Sequence, residues 1–211
     1  MATQPVGRAL ETNSNWQVRE FSELPVDIAR VVKGDFMTAR LQYGTTAKVF
    51  HWLIVALLLV QYLIGWLMPD IHRGPPGAPM IFHISVGMTI LVLIVLRLAW
   101  RLAHPVAPES SLPQWQRLSS EAVHWLLYAL VLATTITGWL FASFRGWSIS
   151  LFFLTPLPML SSENPDALRA INHWHQKFEW TLLILIGLHV LAAVVNLLFY
   201  RNRVMQRMLP G

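Results

Sequence analysis

The chain has 211 residues, of which 55% are hydrophobic and 13% are charged, whereas an average soluble domain carries about 25% charged residues. This composition argues against an ordinary soluble domain. The sequence contains no Cys, which excludes disulfides, iron–sulfur clusters, a catalytic thiol and a covalently attached c-type haem. Residues 1–40 lack the apolar region of a secretory signal, so we expect none.

Residues 1–42 are polar and mixed in charge, and we expect them to form a cytoplasmic extension ahead of the membrane domain. Within this extension, residues 24–33 place Ile28, Val31 and Val32 on one side of a possible short amphipathic helix. Such a helix would lie on the membrane surface or against a partner. A partly disordered tail is the favoured interpretation, and the amphipathic helix is the alternative.

Four later stretches are apolar over the roughly 20 residues that a membrane-spanning helix needs. A fifth apolar segment, residues 149–160, is short and contains Pro156 and Pro158, which favours an interfacial loop. The sequence therefore predicts an all-α membrane protein in which residues 43–211 form a four-transmembrane-helix bundle. The helices are expected at about residues 47–68, 80–101, 119–144 and 171–200.

The positive charge predicts the orientation of this bundle. If the N-terminus is cytoplasmic, 12 of the 16 Lys and Arg residues fall on the cytoplasmic side, as the positive-inside rule requires. Both termini are therefore expected in the cytoplasm. The net charge of +5 then reflects topology, and we expect no nucleic-acid partner. The four basic residues on the outer side are Arg73, Arg145, Arg169 and Lys177.

Histidines are the ionisable residues that stand out in the predicted spans, where such side chains are costly and usually mark function. His72 and His104 fall in loops and are expected to be solvated. The other six lie in or at the ends of spans at two depths. His51, His124 and His189 lie toward the cytoplasm, and His83, His173 and His175 lie toward the outside.

Helix geometry selects between the neighbouring histidines of the fourth span. His175 and His189 are 14 residues apart, which corresponds to about 40° around the helix axis and about 21 Å along it. They therefore share a face, one near each side of the bilayer. His173 is 16 residues from His189, or about 160° away around the axis, so His175 is the better companion of His189.

Paired imidazoles at two depths fit the axial positions of two haem irons, because two histidines on facing helices fill both positions and hold the macrocycle between them. The predicted pairs are His51 with His189 on the inner side and His83 with His175 on the outer side. Electrons would then cross the membrane through the two haems. His124 could replace His51 or His189, or line a haem or quinone pocket. The remaining alternative is that these histidines are hydrogen-bonded packing residues.

Three further residues are candidates for the cofactor pockets. Gly87 lies one turn after His83 on the same face and would allow close approach of a flat cofactor, although helix packing explains a glycine equally well. Arg97 and Arg101 could bind haem propionates, and positive-inside anchoring is the alternative.

Several stretches resemble the bacterial cytochrome b561 family. They are YGTTAKVFHWL at residues 43–53, FHISVGMTILVLIVLRLAWRLAHP at 82–105, HWLLYALVLATTITGWL at 124–140 and HQKFEWTLLILIGLHVLAA at 175–193. The ending VMQRMLPG at residues 204–211 is also similar. The resemblance covers residues 41–211 and leaves the N-terminal extension without a counterpart.

The resemblance implies a four-helix protein of the bacterial inner membrane with two haem b groups, related to the cytochrome b subunits of nickel–iron hydrogenases. By motif, the axial ligands fall on His51, His83, His175 and His189, with His173 as an additional nearby histidine. The expected function is transmembrane electron transfer in exchange with the quinone pool, with ubiquinone as the substrate and membrane lipid as the surroundings.

Two other functions are compatible with the same sequence. One is a superoxide oxidase at the outer face that passes electrons to ubiquinone, an activity attributed to a member of the family. The other is a haem b membrane-anchor subunit of a dehydrogenase or hydrogenase complex. A periplasmic or membrane redox protein would then be the partner.

Overall fold

The structure, a computed structural model, describes residues 44–68, 75–105 and 113–200. The possible amphipathic helix at residues 24–33, together with His72 and Arg73, lies outside the described residues. Four long helices account for most of the described chain, and a short hairpin lies between the third and fourth. Their bounds are α1 Thr45–Leu67, α2 Ala78–Ala103, α3 Gln114–Phe144, β1 Ser150–Leu151, β2 Thr155–Pro156 and α4 Pro165–Val195, which continues into a π-helical turn, Asn196–Tyr200.

All four helices are long and apolar enough to span a membrane. The prediction of an all-α, four-helix membrane protein is therefore confirmed. No more than 33% of the most apolar window of any helix is buried inside the protein. The remaining apolar surface, including Leu59 and Ile184, is exposed and is suited to contact with lipid.

Two helices, α3 and α4, begin five and six residues earlier than hydropathy predicts. The helix α4 starts at Pro165 because the Asn164 side chain accepts a hydrogen bond from the Ala167 N–H at 3.1 Å. Proline at the first helical position and Asp166 in the first turn favour the same start. The helix α3 starts at Gln114, directly after Pro113. In both cases the helix extends beyond the apolar segment into polar residues, which hydropathy alone does not detect.

Each helix packs on the next along the chain: α1 on α2, α2 on α3, and α3 on α4. Within the described part of the chain, by contrast, no Cα atom of α1 lies within 8 Å of a Cα atom of α4. The Tyr62 hydroxyl bridges this separation and donates to the backbone carbonyl of Glu179 at 2.8 Å. The first and last helices, which both carry predicted ligand histidines, thus stand apart on either side of an interhelical space.

The apolar core lies in the middle of the bundle. Ile90 and Leu182 are almost fully buried there, at 1% and 2% exposure, and all four helices contribute to the cluster. The core separates the predicted inner and outer histidine groups. Its buried members are Ile54, Val86, Ile90, Ile94, Tyr128, Leu130, Val131, Leu182 and Leu185.

The segment predicted as an interfacial loop packs over the outer end of α2 and α3. Two buried serines hold it: Ser85 Oγ accepts from the Phe152 N–H at 2.9 Å, and Ser143 Oγ accepts from the Leu160 N–H at 3.0 Å. Trp147 is buried beneath the hairpin. This loop therefore covers the end of the bundle next to the predicted outer histidine pair.

Candidate functional site

His175 is the most firmly oriented of the predicted ligands. Its Nδ1 lies 2.9 Å from the Thr134 carbonyl oxygen and 3.2 Å from Thr137 Oγ1. A carbonyl oxygen only accepts, so Nδ1 carries the proton and donates. The lone pair is then on Nε2, which is the form of imidazole that binds a metal.

His83 lies within electrostatic range of His175. The Gln61 side-chain amide lies 3.1 Å from His83 Nε2 and serves as the donor. Gln61 Oε1 and His83 Nδ1 are both buried without a hydrogen-bond partner among the described residues. Such unpartnered polar atoms are costly in an apolar interior, which marks this pocket as one arranged for something other than packing.

Glycines border both outer histidines. A Cβ atom added to Gly138 would lie only 2.9 Å from Cε1 of His175, and one added to Gly65 would lie 3.6 Å from Cε1 of His83. A Cβ on Gly87 would lie 3.3 Å from the Gln61 amide nitrogen. The glycines therefore let these groups pack directly against the helix backbones: the His175 ring at Gly138, the His83 ring at Gly65 and the Gln61 amide at Gly87.

His173 lies apart from this arrangement. It is exposed, and its ring contacts the neighbouring Trp174 with centroids 6.4 Å apart. His175 is half-buried and points into the bundle toward α3. The structure therefore separates two histidines that are almost adjacent in the sequence: His173 is exposed, and His175 is hydrogen-bonded to α3.

The inner end brings three histidines together. His51 lies within electrostatic range of His189, His124 and Arg97. The rings of His124 and His189 pack edge to face with centroids 5.3 Å apart. The predicted pair of His51 and His189 therefore shares its surroundings with His124, as the sequence interpretation left open.

The two predicted arginines lie beside this inner group. Arg97 Nε donates to the Tyr128 hydroxyl at 3.0 Å, while Arg97 Nη1 is buried without a partner among the described residues. The Arg101 guanidinium lies over the rings of Trp125 and Tyr128, 5.2 and 5.6 Å from their centroids. Contacts with α3 thus hold both guanidinium groups in place near the inner histidines.

The described residues contain no group of three or more His, Cys, Asp or Glu side chains that could hold a bare metal ion. A bis-histidine haem site needs only two protein ligands, because the porphyrin supplies the other four. The residues present fit such a group. His175 offers a lone pair on Nε2, glycines let both outer rings pack close to the helix backbones, and His83 Nδ1 and Arg97 Nη1 are buried without a hydrogen-bond partner among the described residues.

Some of these residues were not singled out by the sequence. Gln61, Thr134 and Thr137 contact the outer histidines, and Tyr128 fixes Arg97. The run of hydroxyl residues at 134–137 is visible in the sequence. What it contacts depends on how α3 packs on α4, which periodicity does not reveal.

Comparison with known proteins identifies the family. The family described as Prokaryotic cytochrome b561 matches residues 42–211. This chain belongs to the prokaryotic cytochrome b561 family. Membership agrees with the resemblance noted in the sequence and with the four spans, so the chain is a bacterial multi-pass membrane protein. Family membership also implies haem b as the cofactor and electron transfer as the activity.

Three similar proteins illustrate the range of the relatives. The chain is 26% identical over 181 residues to "Cytochrome b561 homolog 2" of Escherichia coli strain K12, covering 80% of this chain and 91% of the relative. It is 28% identical over 161 residues to "Probable superoxide oxidase CybB" of Yersinia pestis, covering 76% and 91%. It is also 28% identical over 111 residues to "Cytochrome b562" of Cereibacter sphaeroides, covering 49% and 70%.

Proposed function

We propose that this cytochrome transfers electrons across the membrane through two bis-histidine haem b groups and exchanges them with the quinone pool. His83 and His175 are the axial ligands of the outer haem, and His51 and His189 are those of the inner haem. The observation that carries the proposal is the orientation of His175, because its Nδ1–H is committed to Thr134 and Thr137 and its Nε2 is left as a ligand.

The separation of α1 from α4 supports two sites between helices. His51 and His189 lie on these two helices, which have no close backbone approach within the described residues. The apolar core around Ile90 and Leu182 divides the inner group from the outer one. The residues thus form two polar pockets in an apolar bundle, one near each end.

When bound, haem iron supplies one-electron chemistry by alternating between the ferric and ferrous states. The protein supplies the rest. His175 is held in one tautomer by α3, and Gly138 lets its ring pack directly against the backbone of that helix. Lipid-facing apolar side chains and the outer loop exclude water from the bundle. Low polarity and fixed ligands together favour electron transfer with little rearrangement.

The decisive experiment measures haem b per polypeptide on detergent-purified protein, together with a reduced-minus-oxidised visible spectrum. We expect two haems per chain, both low-spin, and reduction of both by a quinol. One haem per chain would contradict one of the two pairs. Absence of haem from protein made in haem-sufficient cells would refute the proposal.

Superoxide oxidation at the outer face is the second candidate, favoured by the 28% identity to a relative named as a probable superoxide oxidase. In this reaction two superoxide ions each lose one electron and become O₂. Ubiquinone takes the two electrons and two protons to give ubiquinol. Stopped-flow mixing with superoxide tests it: rapid haem reduction followed by ubiquinone-dependent reoxidation is expected, and unchanged haem spectra would exclude it.

A further inference from the structure

A second polar feature of the outer end lies next to the proposed haem ligands. It is a cleft of about 280 Å³ between the end of α3 and the start of α4. One part of its wall is apolar, and the other carries two guanidinium groups and an amide. The residues that line it are Phe141, Arg145, Pro165, Leu168, Arg169 and Asn172.

The cleft continues the seam in which His175 lies. Arg145 is seven residues after Gly138, so it lies on nearly the same face of α3, about 10.5 Å further out. Asn172 and Arg169 precede His175 by three and six residues, about 4.5 and 9 Å further out along α4. The cleft therefore opens one to two helical turns beyond the ring of His175, in the direction of the outer surface.

Arg145 is held in place, but its guanidinium Nε has no hydrogen-bonded counter-charge among the described residues. Its guanidinium lies 5.3 Å from the ring centroid of Phe141 and 5.1 Å from that of Trp147. Its Nε is buried without a hydrogen-bond partner among the described residues. The carboxylate of Glu163 packs against Gly146, and no described carboxylate forms an ion pair with Arg145 or Arg169. A buried, unpaired donor of this kind calls for an anion.

We propose that this cleft binds the propionate carboxylates of the outer haem, an inference that rests on the proposed function. Arg145 and Asn172 lie further out along the seam in which His175 lies, so they are the residues that would hold the carboxylates of a group bound by His175. Arginine pairs with carboxylates through two parallel hydrogen bonds. The apolar part of the wall, Phe141 and Leu168, suits the edge of the macrocycle.

This assignment gives the two arginines a chemical role. They neutralise the propionates and fix which edge of the macrocycle faces outward. Their positive charge also stabilises the ferrous state relative to the ferric state, so it raises the reduction potential of the outer haem. Arg145 and Arg169 are positioning residues in this account, because they act on the iron through the propionates.

The test compares Arg145→Gln, Arg169→Gln and the double variant in the full-length, haem-loaded protein. Lys177→Gln is the matched control, because Lys177 is a cation of the same end of α4 that lies over Trp174, 5.1 Å from its centroid, and does not line the cleft. The readouts are the redox midpoint of each haem and the propionate bending bands in the resonance Raman spectrum. The inner haem serves as an internal reference in every sample.

We expect Arg145→Gln to shift the redox equilibrium of the outer haem about tenfold toward the ferric form, which is about 59 mV for one electron. The propionate bands should change, the inner midpoint should stay fixed, and Lys177→Gln should change neither. Arg145→Lys should restore part of the midpoint, because it keeps the charge but loses the paired hydrogen bonds. This variant also serves as the test if Arg145→Gln fails to fold.

Three results would overturn the proposal. An unchanged outer midpoint and unchanged propionate bands in the double variant, with two haems still bound, would refute it and leave the proposed function intact. Loss of bound phosphatidylglycerol from the double variant in native mass spectrometry, with no change in midpoint, would identify the cleft as a lipid-headgroup site instead. Absence of haem from the wild-type chain would refute both proposals.

Discussion

The outer and inner ends of the bundle show two ways of arranging histidines. At the outer end, His175 has a fixed hydrogen-bond acceptor in Thr134, and glycines lie beside both rings. At the inner end, His51 and His189 share their space with His124 and Arg97. The proposed outer pair is therefore set apart by hydrogen bonding and by close packing against glycines, whereas the proposed inner pair lies within a cluster of three histidines.

This difference teaches that depth in the membrane is only part of what defines a ligand. Histidines at the same depth differ in which nitrogen is free and in what lies next to the ring. His173 and His175 illustrate this most clearly, since they are two residues apart and yet one is exposed against Trp174 while the other is hydrogen-bonded to α3.

The largest expected effect tests whether the two ends are independent. His175→Ala should remove the outer haem and His189→Ala the inner one, so each variant should bind one haem per chain instead of two. The measurement is haem b content with the reduced-minus-oxidised spectrum. Loss of both haems in both variants, in protein that remains folded, would show that the ends do not act separately.

The next prediction tests which of the three inner histidines bind the inner haem. His51→Ala should lose the inner haem, whereas His124→Ala should retain two haems with a shifted inner midpoint, because the proposed inner pair leaves His124 beside the His189 ring as a neighbour. Haem stoichiometry and redox titration distinguish the two variants. If His124→Ala lost a haem and His51→Ala kept both, the inner pair would be His124 with His189.

A smaller effect is expected from adding a methyl group at Gly138, where the His175 ring packs against α3. In Gly138→Ala the new Cβ would lie 2.9 Å from Cε1 of His175, so the ring must shift, at a cost of about 1–3 kcal/mol. Reduced occupancy of the outer haem and a lower melting temperature should follow. Gly187→Ala is the control, because a Cβ there meets nothing within 4 Å and Ala favours the helix. Equal haem occupancy and equal melting temperatures in the two variants would argue against tight packing around His175.

The smallest expected effect concerns the hydrogen bond to His175. Thr137→Val removes one of the two acceptors of the Nδ1–H, which should make the imidazole a weaker electron donor to iron and raise the outer midpoint by the equivalent of about 1 kcal/mol or less. Thr135→Val is the control, because Thr135 bonds only to carbonyls of its own helix. A midpoint that moves equally in both variants would locate the effect in α3 itself.

Much of the fold follows from local sequence. Hydropathy over about 20 residues predicts the four spans, because every backbone polar group in lipid must be satisfied within a helix. The early start of α4 was missed although Asn164, Pro165 and Asp166 form a recognisable start signal. The hairpin over the outer end was expected only as a loop, since its position depends on buried Ser85 and Ser143 from two different helices.

The candidate site also has a part that the sequence predicts and a part that it does not. Helical spacing along one element was enough to place His175 and His189 on a shared face, because the rise and rotation per residue are fixed. The partners of these histidines come from other helices. Gln61, Thr134 and Thr137 have no periodic signature that links them to a histidine, and Arg145 was visible only as an outer basic residue.

The sequence by itself therefore determined the membrane class, the number of spans and the spacing of the histidines along each span, because these depend on composition and on distance along a single helix. Only the tertiary structure decided which ring nitrogen of His175 is free, which glycines the rings pack against and which arginines border a common cleft. These features depend on how side chains from different helices meet, and that is set by interhelical packing, which no local pattern encodes.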